Sequence, residues 1–304
     1  MKQKTMKSNL LLALAAFIWG VAFVAQSVGM EYVKPFTFNA ARFLIGGVVL
    51  IPCIFLIKKT NGKKNDGAEA DPKKQKEETK TGILGGICCG TALFVASSFQ
   101  QFGVSYTTVG KAGFITALYI VIVPLLGLFL KKRVKWTVWL SVAIATAGMY
   151  LLCMTEGLNI GKGDFYVFIC AVCFSFHILI IDYFSPKADG VFISCVQFFT
   201  AGILAFPAAV LLEKPEISSI LAAWAPILYA GVMSCGVAYT LQVVAQKNTD
   251  PVIASLILSL ESVFSLIAGW VILGQKLSPK ELFGCVLVFC AILLAQVPAG
   301  GEPE

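Results

Sequence analysis

The sequence predicts an all-α integral membrane protein with ten transmembrane helices, arranged as two inverted repeats of five helices each. Three observations lead to this fold class: an apolar composition, a series of long apolar stretches, and a resemblance between the two halves of the chain. The residues A, V, I, L, M, F, W, Y and C make up 58% of the sequence and charged residues only 13%. A soluble core of this length does not need so apolar a composition.

The apolar stretches are close to the ~20 residues that a helix needs to cross ~30 Å of hydrocarbon. We number them spans 1 to 10; they cover residues 9–30, 36–57, 82–104, 112–130, 136–154, 165–181, 190–212, 220–242, 252–273 and 281–298. Their residues are continuously apolar rather than alternating, which disfavours a membrane β-barrel. The first stretch follows MKQKTMK but is longer than a signal-peptide core and shows no small-residue cleavage site, so we expect a retained helix.

The second half of the chain repeats the first. Residues 35–52 (PFTFNAARFLIGGVVLIP) align without gaps with residues 190–207 (GVFISCVQFFTAGILAFP). The alignment pairs Phe43 with Phe198, Gly47 with Gly202, Pro52 with Pro207, and Arg42 with Gln197. Because each repeat crosses the membrane an odd number of times, the two copies must have opposite orientations, as in many secondary transporters. We therefore predict repeats over residues 1–155 and 160–298.

Basic residues predict the orientation in the membrane. If the N-terminus is cytoplasmic, the segments on that side hold 17 Lys and Arg residues and the segments on the other side hold 6. This bias places both termini in the cytoplasm and the protein in the cell membrane. The polar segment 58–80 is rich in Lys, Glu and Gly, so we expect a disordered cytoplasmic loop there.

Four segments resemble the ten-span, EamA-type members of the drug/metabolite transporter superfamily. They are AFIWGVAF at 16–23 with Arg42 in the next span, GVSYTTVGKAGFITALYIVIVPLLG at 103–127, GDF at 163–165, and YTLQVVAQKNTDPVIASLILSLESVFSLIAG at 239–269. The resemblance covers essentially the whole chain. It implies two five-helix repeats around a central cavity and the movement of small metabolites, often by export.

The chain departs from the family pattern at three places. Where the family commonly has Gly-Glu-Arg after spans 4 and 9, this sequence has Lys131-Lys132-Arg133 and Gly274-Gln275-Lys276. Many members have Leu-Glu-Pro in span 9, whereas this chain reads Leu260-Glu261-Ser262, which predicts a smaller kink there. In span 4, Pro124 predicts a bend.

Glu261 is the leading candidate for a functional residue. It lies about midway along span 9, where a carboxylate costs at least ~2.5 kcal/mol, so it should face a cavity or a partner, or be protonated. It could contact a substrate ammonium group or couple transport to protons, or it could only bridge helices as a packed carboxyl group. The repeat alignment places Tyr119 at the equivalent position of span 4, facing Glu261 if the pseudo-symmetry axis passes between them.

Other polar and aromatic residues recur on single helical faces and predict further lining of a cavity. These candidates are Trp19, Phe23, Gln26, Gln101, His177, Tyr239 and Gln242. A glutamine or tyrosine deep in hydrocarbon must find a partner, and interhelical packing is the alternative for each of these residues. Cys170 and Cys173 share a helical face with His177, but a tetrahedral metal site needs a fourth ligand and the chain has one histidine, so we predict no metal. Arg42 and Lys111 lie near the outer ends of their spans and are predicted to be gating or structural charges.

The substrate class follows from the deep charges. One deep acid and no deep base favour a zwitterionic, weakly cationic or neutral metabolite over a phosphate compound, so amino acids lead and lipophilic cations or drugs are the alternative. An integral membrane enzyme is disfavoured, because the sequence has no nucleotide-binding loop and no nucleophile elbow. We expect the partners to be a small-molecule substrate, the lipid bilayer and protons as a candidate coupling ion. We expect no cofactor and no nucleic acid, in a monomer or a homodimer.

Overall fold

The computed structural model describes residues 2–64, 72–107, 109–129, 135–153, 161–274 and 278–295. Within these ranges all regular structure is helical. In chain order the helices cover Lys2–Gly29, Pro35–Lys64, Pro72–Val104, Val109–Thr116, Tyr119–Phe129, Trp136–Cys153, Lys162–Phe184, Gly190–Ala208, Ala209–Glu213, Ile217–Ala222, Trp224–Leu228, Tyr229–Tyr239, Thr240–Gln246, Pro251–Leu258, Leu260–Leu273 and Pro279–Ala295.

Eight helical stretches of the described chain are long and apolar enough to cross a membrane. They are Met6–Gly29, Pro35–Leu56, Gln75–Val104, Val109–Phe129, Lys162–Phe184, Gly190–Glu213, Trp224–Gln246 and Pro251–Ile272. Spans 5 and 10 are shorter, with apolar helices at Trp136–Leu151 and Pro279–Ala295. The predicted all-α membrane fold is confirmed, with eight long apolar helices and two shorter ones among the described residues.

The polar segment 58–80 differs from its prediction. Span 2 continues as a helix to Lys64, and the next helix begins at Pro72, well before span 3 becomes apolar. Lys, Glu and Gln have high helix propensities, so an apolar helix extends easily into such flanks. Both ends of the segment are therefore helical where the sequence analysis expected a disordered loop, and residues 65–71 lie outside the described ranges.

The contacts between spans have the symmetry of an inverted repeat. Span 1 packs on spans 8 and 9, and its counterpart span 6 packs on spans 3 and 4. Spans 2 and 7, 4 and 9, and 5 and 10 pack on each other as symmetric pairs. The repeat-equivalent residues Phe43 and Phe198 stack with ring centroids 6.3 Å apart and planes 14° apart. The pseudo-symmetry axis therefore passes between these two rings, at the centre of the molecule.

Glycines let the two repeats approach closely. A Cβ atom on Gly47 would lie 3.0 Å from the Phe199 ring, and one on Gly202 would lie 2.8 Å from Leu44, which is the same contact seen from the other repeat. At Gly20 of span 1, a Cβ would lie 2.4 Å from the Cβ of Phe264 in span 9. No larger residue fits at Gly20 without moving the two helices apart.

Spans 4 and 9 are both interrupted near their midpoints. Span 4 breaks between Thr116 and Tyr119, and span 9 breaks at Ser259, the repeat-equivalent position. The span 4 break lies upstream of Pro124, and span 9 is interrupted without a proline, while the relative size of the two kinks stays a prediction. In span 9 the Ser259 hydroxyl donates to the Leu256 carbonyl, a side-chain bond that competes with the helical ladder. Each break sets a cavity residue, Tyr119 or Glu261, at the start of the second half-helix.

Span 8 contains a π-helix over Tyr229–Tyr239 that the sequence pattern did not indicate. π-Helical segments in α-helices are frequent at functional sites. The Tyr229 hydroxyl donates to the backbone carbonyl of Ile18 in span 1 at 3.1 Å, which ties this segment to the other repeat. The widened turns present Ser234 and Tyr239 to the centre of the molecule.

Candidate functional site

A small cavity lies at the centre of the molecule, between the two repeats. It is lined by Trp19, Phe23, Gln26, Arg42, Gln100, Thr116, Tyr119, Phe174, His177, Ile178, Ser234, Tyr239, Gln242, Leu258 and Glu261. Its volume is about 30 Å³. That is room for about one water molecule, so the structure holds the cavity closed to any metabolite.

Much of the cavity wall is built from repeat-equivalent pairs. Continuing the repeat alignment along the chain pairs Trp19 with Phe174, Phe23 with Ile178, Gln100 with Gln242, Thr116 with Leu258, and Tyr119 with Glu261. Both members of every pair line the cavity. The cavity is therefore a product of the internal symmetry. Its acid, its arginine and its histidine each lack an equivalent of the same type.

Tyr119 and Glu261 meet across the pseudo-symmetry axis, as the alignment suggested. The Tyr119 hydroxyl donates to Oε1 of Glu261 at 2.9 Å, and both side chains are buried. This bond fixes one carboxyl oxygen of Glu261. A carboxyl group anchored in this way can accept further donors, or a proton, at its other oxygen.

Arg42 lies deeper than the sequence indicated. It is 2% exposed and lines the central cavity, whereas the prediction placed it near the membrane surface as a gating or structural charge. The rings of Phe38 and Phe43 flank its guanidinium group, with centroids 5.6 Å and 4.8 Å from Cζ. Its Nε and Nη2 atoms have no hydrogen-bond partner among the described residues. Such a buried, unpartnered cation has a strong preference for an anionic ligand group.

Besides Arg42 and His177, three cavity residues carry buried polar atoms that have no partner in the described part of the chain. Trp19 offers the donor Nε1, and Gln26 and Gln242 each offer the acceptor Oε1. Buried polar groups in proteins are normally hydrogen-bonded, so a set of free ones around one cavity indicates a site for a polar ligand or for water.

His177 is held in place by its neighbours. Its Nε2 lies 3.2 Å from Oε1 of Gln197, the repeat equivalent of Arg42. The rings of Phe174 and Tyr239 pack edge-on against the imidazole, with centroids 6.2 Å and 5.9 Å away. The other ring nitrogen, Nδ1, is buried and has no partner among the described residues.

The structure gathers eight of the nine residues proposed from the sequence as cavity lining. Trp19, Phe23, Gln26, Tyr119, His177, Tyr239, Gln242 and Glu261 all line it. Gln101 does not: its side chain is fully buried and donates to the Gln26 carbonyl, while its neighbour Gln100 lines the cavity. Lys111 is half-buried near the start of span 4 and does not line the cavity. Whether these residues bind a substrate stays a prediction.

Sequence reasoning missed Gln100, Thr116, Phe174, Ile178, Ser234 and Leu258. Several could have been found by applying the repeat alignment to the residues that were already chosen. The repeat equivalent of Trp19 is Phe174, that of Phe23 is Ile178, and that of Gln242 is Gln100. Ser234 carried no such signal, because its position depends on the π-helix.

Two clusters of buried apolar residues, which we call plugs, lie on opposite sides of the cavity along the spans. We call the predicted cytoplasmic side of the molecule, where both chain termini are expected, the terminal face. The opposite side is the distal face. The distal plug consists of Val33, Phe38, Ala223, Ile227 and Ala230. The terminal plug consists of Cys89, Ile181, Ala188, Ile193 and Val243. Phe38 and Ile193 are repeat equivalents, and each lies about one turn from Arg42 or Gln197, toward its own face.

A larger hollow of about 590 Å³ opens on the distal face, around residues 30–36 and the ends of spans 3 and 7. Glu213, at the end of span 7, shapes its wall. Its carboxylate accepts the backbone N–H groups of Phe36 and Thr37 at 2.9 Å and 2.7 Å, and the Thr37 hydroxyl at 2.7 Å. These bonds cap the first turn of span 2. The hollow forms a vestibule, which the distal plug separates from the central cavity.

Among the described residues, no group of three or more His, Cys, Asp or Glu side chains is arranged to hold a metal ion. Cys170 and Cys173 lie on span 6 with His177, but Cys170 is buried in the main apolar core and Cys173 is half-buried beside it. The polar groups of the cavity are instead those that contact organic ions: a guanidinium, a carboxyl, amides and aromatic rings.

Comparison with known proteins agrees with the architecture. The EamA-like transporter family matches the chain twice, over residues 6–154 and 161–296. An uncharacterized transporter of Archaeoglobus fulgidus is 30% identical over 296 residues, covering 97% of this chain and 87% of that protein. The uncharacterized transporter YwfM of Bacillus subtilis is 27% identical, covering 95% of this chain and 94% of that protein.

A protein of known crystal structure has the same fold. It superposes with a TM-score of 0.73 at 18% sequence identity, covering 95% of this chain and 96% of that one. The two family matches follow one another along the chain, one over each five-span half. The chain belongs to the EamA-like transporter family.

Proposed function

We propose that this transporter carries a small zwitterionic metabolite, such as an amino acid, across the cell membrane by alternating access. One observation supports the substrate class above all others: an unpartnered arginine and a buried carboxyl group line the same central cavity. Arg42 can pair with a substrate carboxylate, ideally through two parallel N–H donors. Glu261, held by Tyr119, can receive the substrate ammonium group.

The burial of Arg42 changes the charge argument made from the sequence. That argument counted one deep acid and no deep base, which left lipophilic cations as an alternative. With a guanidinium group in the cavity, a cation is repelled at one end while a zwitterion is matched at both. A phosphate compound would need several bases, and the described lining contributes a single arginine and no lysine.

The two plugs support alternating access as the mechanism. The plugs share the repeat-equivalent pair Phe38 and Ile193, and we infer that they are the two gates of the cavity and that this structure is an occluded state. Opening one plug while the other stays closed would expose the cavity to one side at a time. From the excess of basic residues on the terminal face, we place both termini in the cytoplasm. We take export as the direction, because the resemblance to the family implies it. Glu261 is the candidate site at which protons would couple to transport.

Purified protein in liposomes tests this function. We expect a labelled amino-acid mixture to be taken up by counterflow, with chemically unchanged solute recovered. Glu261→Gln is the inactive variant, and Phe176→Leu, which alters an exposed side chain one residue from His177, is the matched control. Uptake of tetraphenylphosphonium instead of amino acids would support a lipophilic-cation carrier, and recovery of a new product would support an enzyme.

A further inference from the structure

We infer that the terminal-face end of the cavity is a side-chain subsite, in which His177 and Gln242 select amino acids whose neutral side chain donates a hydrogen bond. Hydroxyl and carboxamide side chains have this chemistry. The inference rests on the proposed function, because it assumes that Arg42 and Glu261 hold the two charged groups of an amino acid.

The geometry of His177 makes it a hydrogen-bond acceptor. Gln197 presents Oε1, an acceptor, to Nε2 of the imidazole at 3.2 Å, so in the neutral ring the proton lies on Nε2. The second nitrogen, Nδ1, then carries a lone pair. It is buried, lacks a partner among the described residues, and belongs to a side chain that lines the cavity.

Gln242 adds a second acceptor at the same end of the cavity. Its Oε1 is buried and unpartnered within the described chain, and its side chain lines the cavity. Water can satisfy these two acceptors in the empty cavity, but a ligand that displaces the water satisfies them only if it supplies an N–H or O–H group. An apolar side chain would leave both of them desolvated and unpaired, which is the arrangement that gives an enzyme or carrier its strongest discrimination between isosteres.

The positions of the residues along their spans give the substrate an orientation. Arg42 lies about two turns from the distal end of span 2, and His177 about two turns from the terminal end of span 6. Gln242 lies about one turn from the terminal end of span 8, and Glu261 lies between these levels, near the middle of span 9. A carboxylate on Arg42 and an ammonium on Glu261 would therefore direct the side chain toward His177 and Gln242.

The subsite is rigid before any ligand enters. Gln197 and the rings of Phe174 and Tyr239 fix the imidazole plane, and Tyr239 itself packs on Trp19 at 4.5 Å and on Phe198 at 5.8 Å. Gln197 contacts no cavity surface of its own, so it acts as a positioning residue for His177. A side chain held this firmly discriminates between ligands by the position of its lone pair.

Isosteric ligand pairs test the inference directly. Thermal-shift titrations of the detergent-solubilised protein would compare threonine with valine, and asparagine with leucine. We expect the donor-bearing member of each pair to bind at least about tenfold more tightly. His177→Phe should bring both ratios to within about twofold of one, and His177→Gln, which keeps an acceptor, should retain most of the preference. Phe176→Leu, on the exposed side of the same helix, should leave the ratios unchanged.

Gln197→Met provides an independent variant if His177→Phe does not fold. It should lower the threonine-to-valine ratio by releasing the imidazole, while His177 itself is retained. Equal binding of the two members of each pair by the unaltered protein would overturn the subsite and leave the proposed function standing. Binding of none of the four amino acids would overturn both. A preference that persists in His177→Phe and Gln197→Met would likewise contradict the assignment of these residues.

Discussion

The two repeats share a scaffold but contribute different chemistry to the cavity. Repeat-equivalent helices break at equivalent positions, approach through equivalent glycines and carry equivalent apolar plugs. The first repeat nevertheless supplies the arginine, and the second supplies the carboxyl group and the histidine. Because the repeats are similar, they can exchange conformations, and the cavity then opens to one face of the membrane in place of the other. Their differences give a substrate a single orientation in the site.

Replacement of the acid should have the largest effect. Glu261→Gln keeps the hydrogen bond from Tyr119 but removes the negative charge that receives an ammonium group, so we expect transport to fall by about a hundredfold or more. If Glu261 is the proton-coupling group, the residual transport should not depend on pH. The other titratable or charged residues in the lining are Arg42, Tyr119, His177 and Tyr239.

The measurement is initial-rate uptake into proteoliposomes over a range of external pH. Tyr119→Phe, the repeat-equivalent change, removes one hydrogen bond to Glu261 and leaves the charge, so it should cost about tenfold. A Glu261→Gln protein with undiminished transport and an unchanged pH profile would eliminate both roles of the acid.

The two plugs can be opened separately. Phe38→Ala should loosen the distal plug and Ile193→Ala the terminal plug, each by about 2 to 5 kcal/mol, because both side chains are fully buried. Hydrogen–deuterium exchange should then rise around residues 30–36 in the first variant and around 185–190 in the second. A rise on both faces in either variant would show that the plugs do not act independently.

A variant of Arg42 distinguishes a substrate-binding role from a structural role for this residue. Arg42→Met removes a buried cation that lacks a hydrogen-bond partner in the described structure, so we expect thermal stability to stay level or rise by about 1 kcal/mol. Amino-acid affinity should fall by about ten- to a hundredfold, which corresponds to the loss of charged hydrogen bonds of about 1.5–3 kcal/mol each. A variant that loses several kcal/mol of stability would show that Arg42 is a structural charge.

The glycine contacts between repeats give the smallest expected effect. Gly20→Ala forces a Cβ against Phe264 and should cost about 1–3 kcal/mol of stability, measured by thermal unfolding in detergent. Gly110→Ala is the matched control: apart from its chain neighbours and its own helical backbone, no atom of the described residues lies within 4 Å of the added Cβ, and alanine favours the helix by about 1 kcal/mol. Equal stability of the two variants would mean that close approach at Gly20 does not hold the repeats together.

Hydrophobicity and internal repetition were enough to predict much of this molecule. Apolar length predicted the spans, because lipid leaves the backbone no alternative to helix. The repeat alignment, continued into spans 4 and 9, predicted that Tyr119 would face Glu261 if the pseudo-symmetry axis passed between them, because repeat-equivalent residues near a two-fold axis must meet.

Other features depend on forces that the alignment does not contain. The rings of Phe38 and Phe43 flank the Arg42 guanidinium group and hold it deep in the molecule. From the sequence alone, an arginine side chain that extends to water at the membrane surface was an equally simple expectation. Gln100 and Gln101 point about 100° apart around the same helix. The spacing of polar residues along a helix does not predict side-chain direction finely enough to tell which of the two lines the cavity. The π-helix of span 8 and the break at Ser259 arise from local hydrogen bonding that hydrophobic periodicity does not report.

The central claim is that Arg42 and Glu261 bind opposite ends of one zwitterion, and a cycle of ligand and protein changes tests it most directly. Calorimetry would measure threonine and threonine methyl ester, which lacks the carboxylate, against the unaltered protein and Arg42→Met. We expect the ester to bind the unaltered protein at least about tenfold more weakly than threonine, and the two ligands to bind Arg42→Met equally well. The same preference for threonine in both proteins would contradict the pairing of Arg42 with the substrate carboxylate.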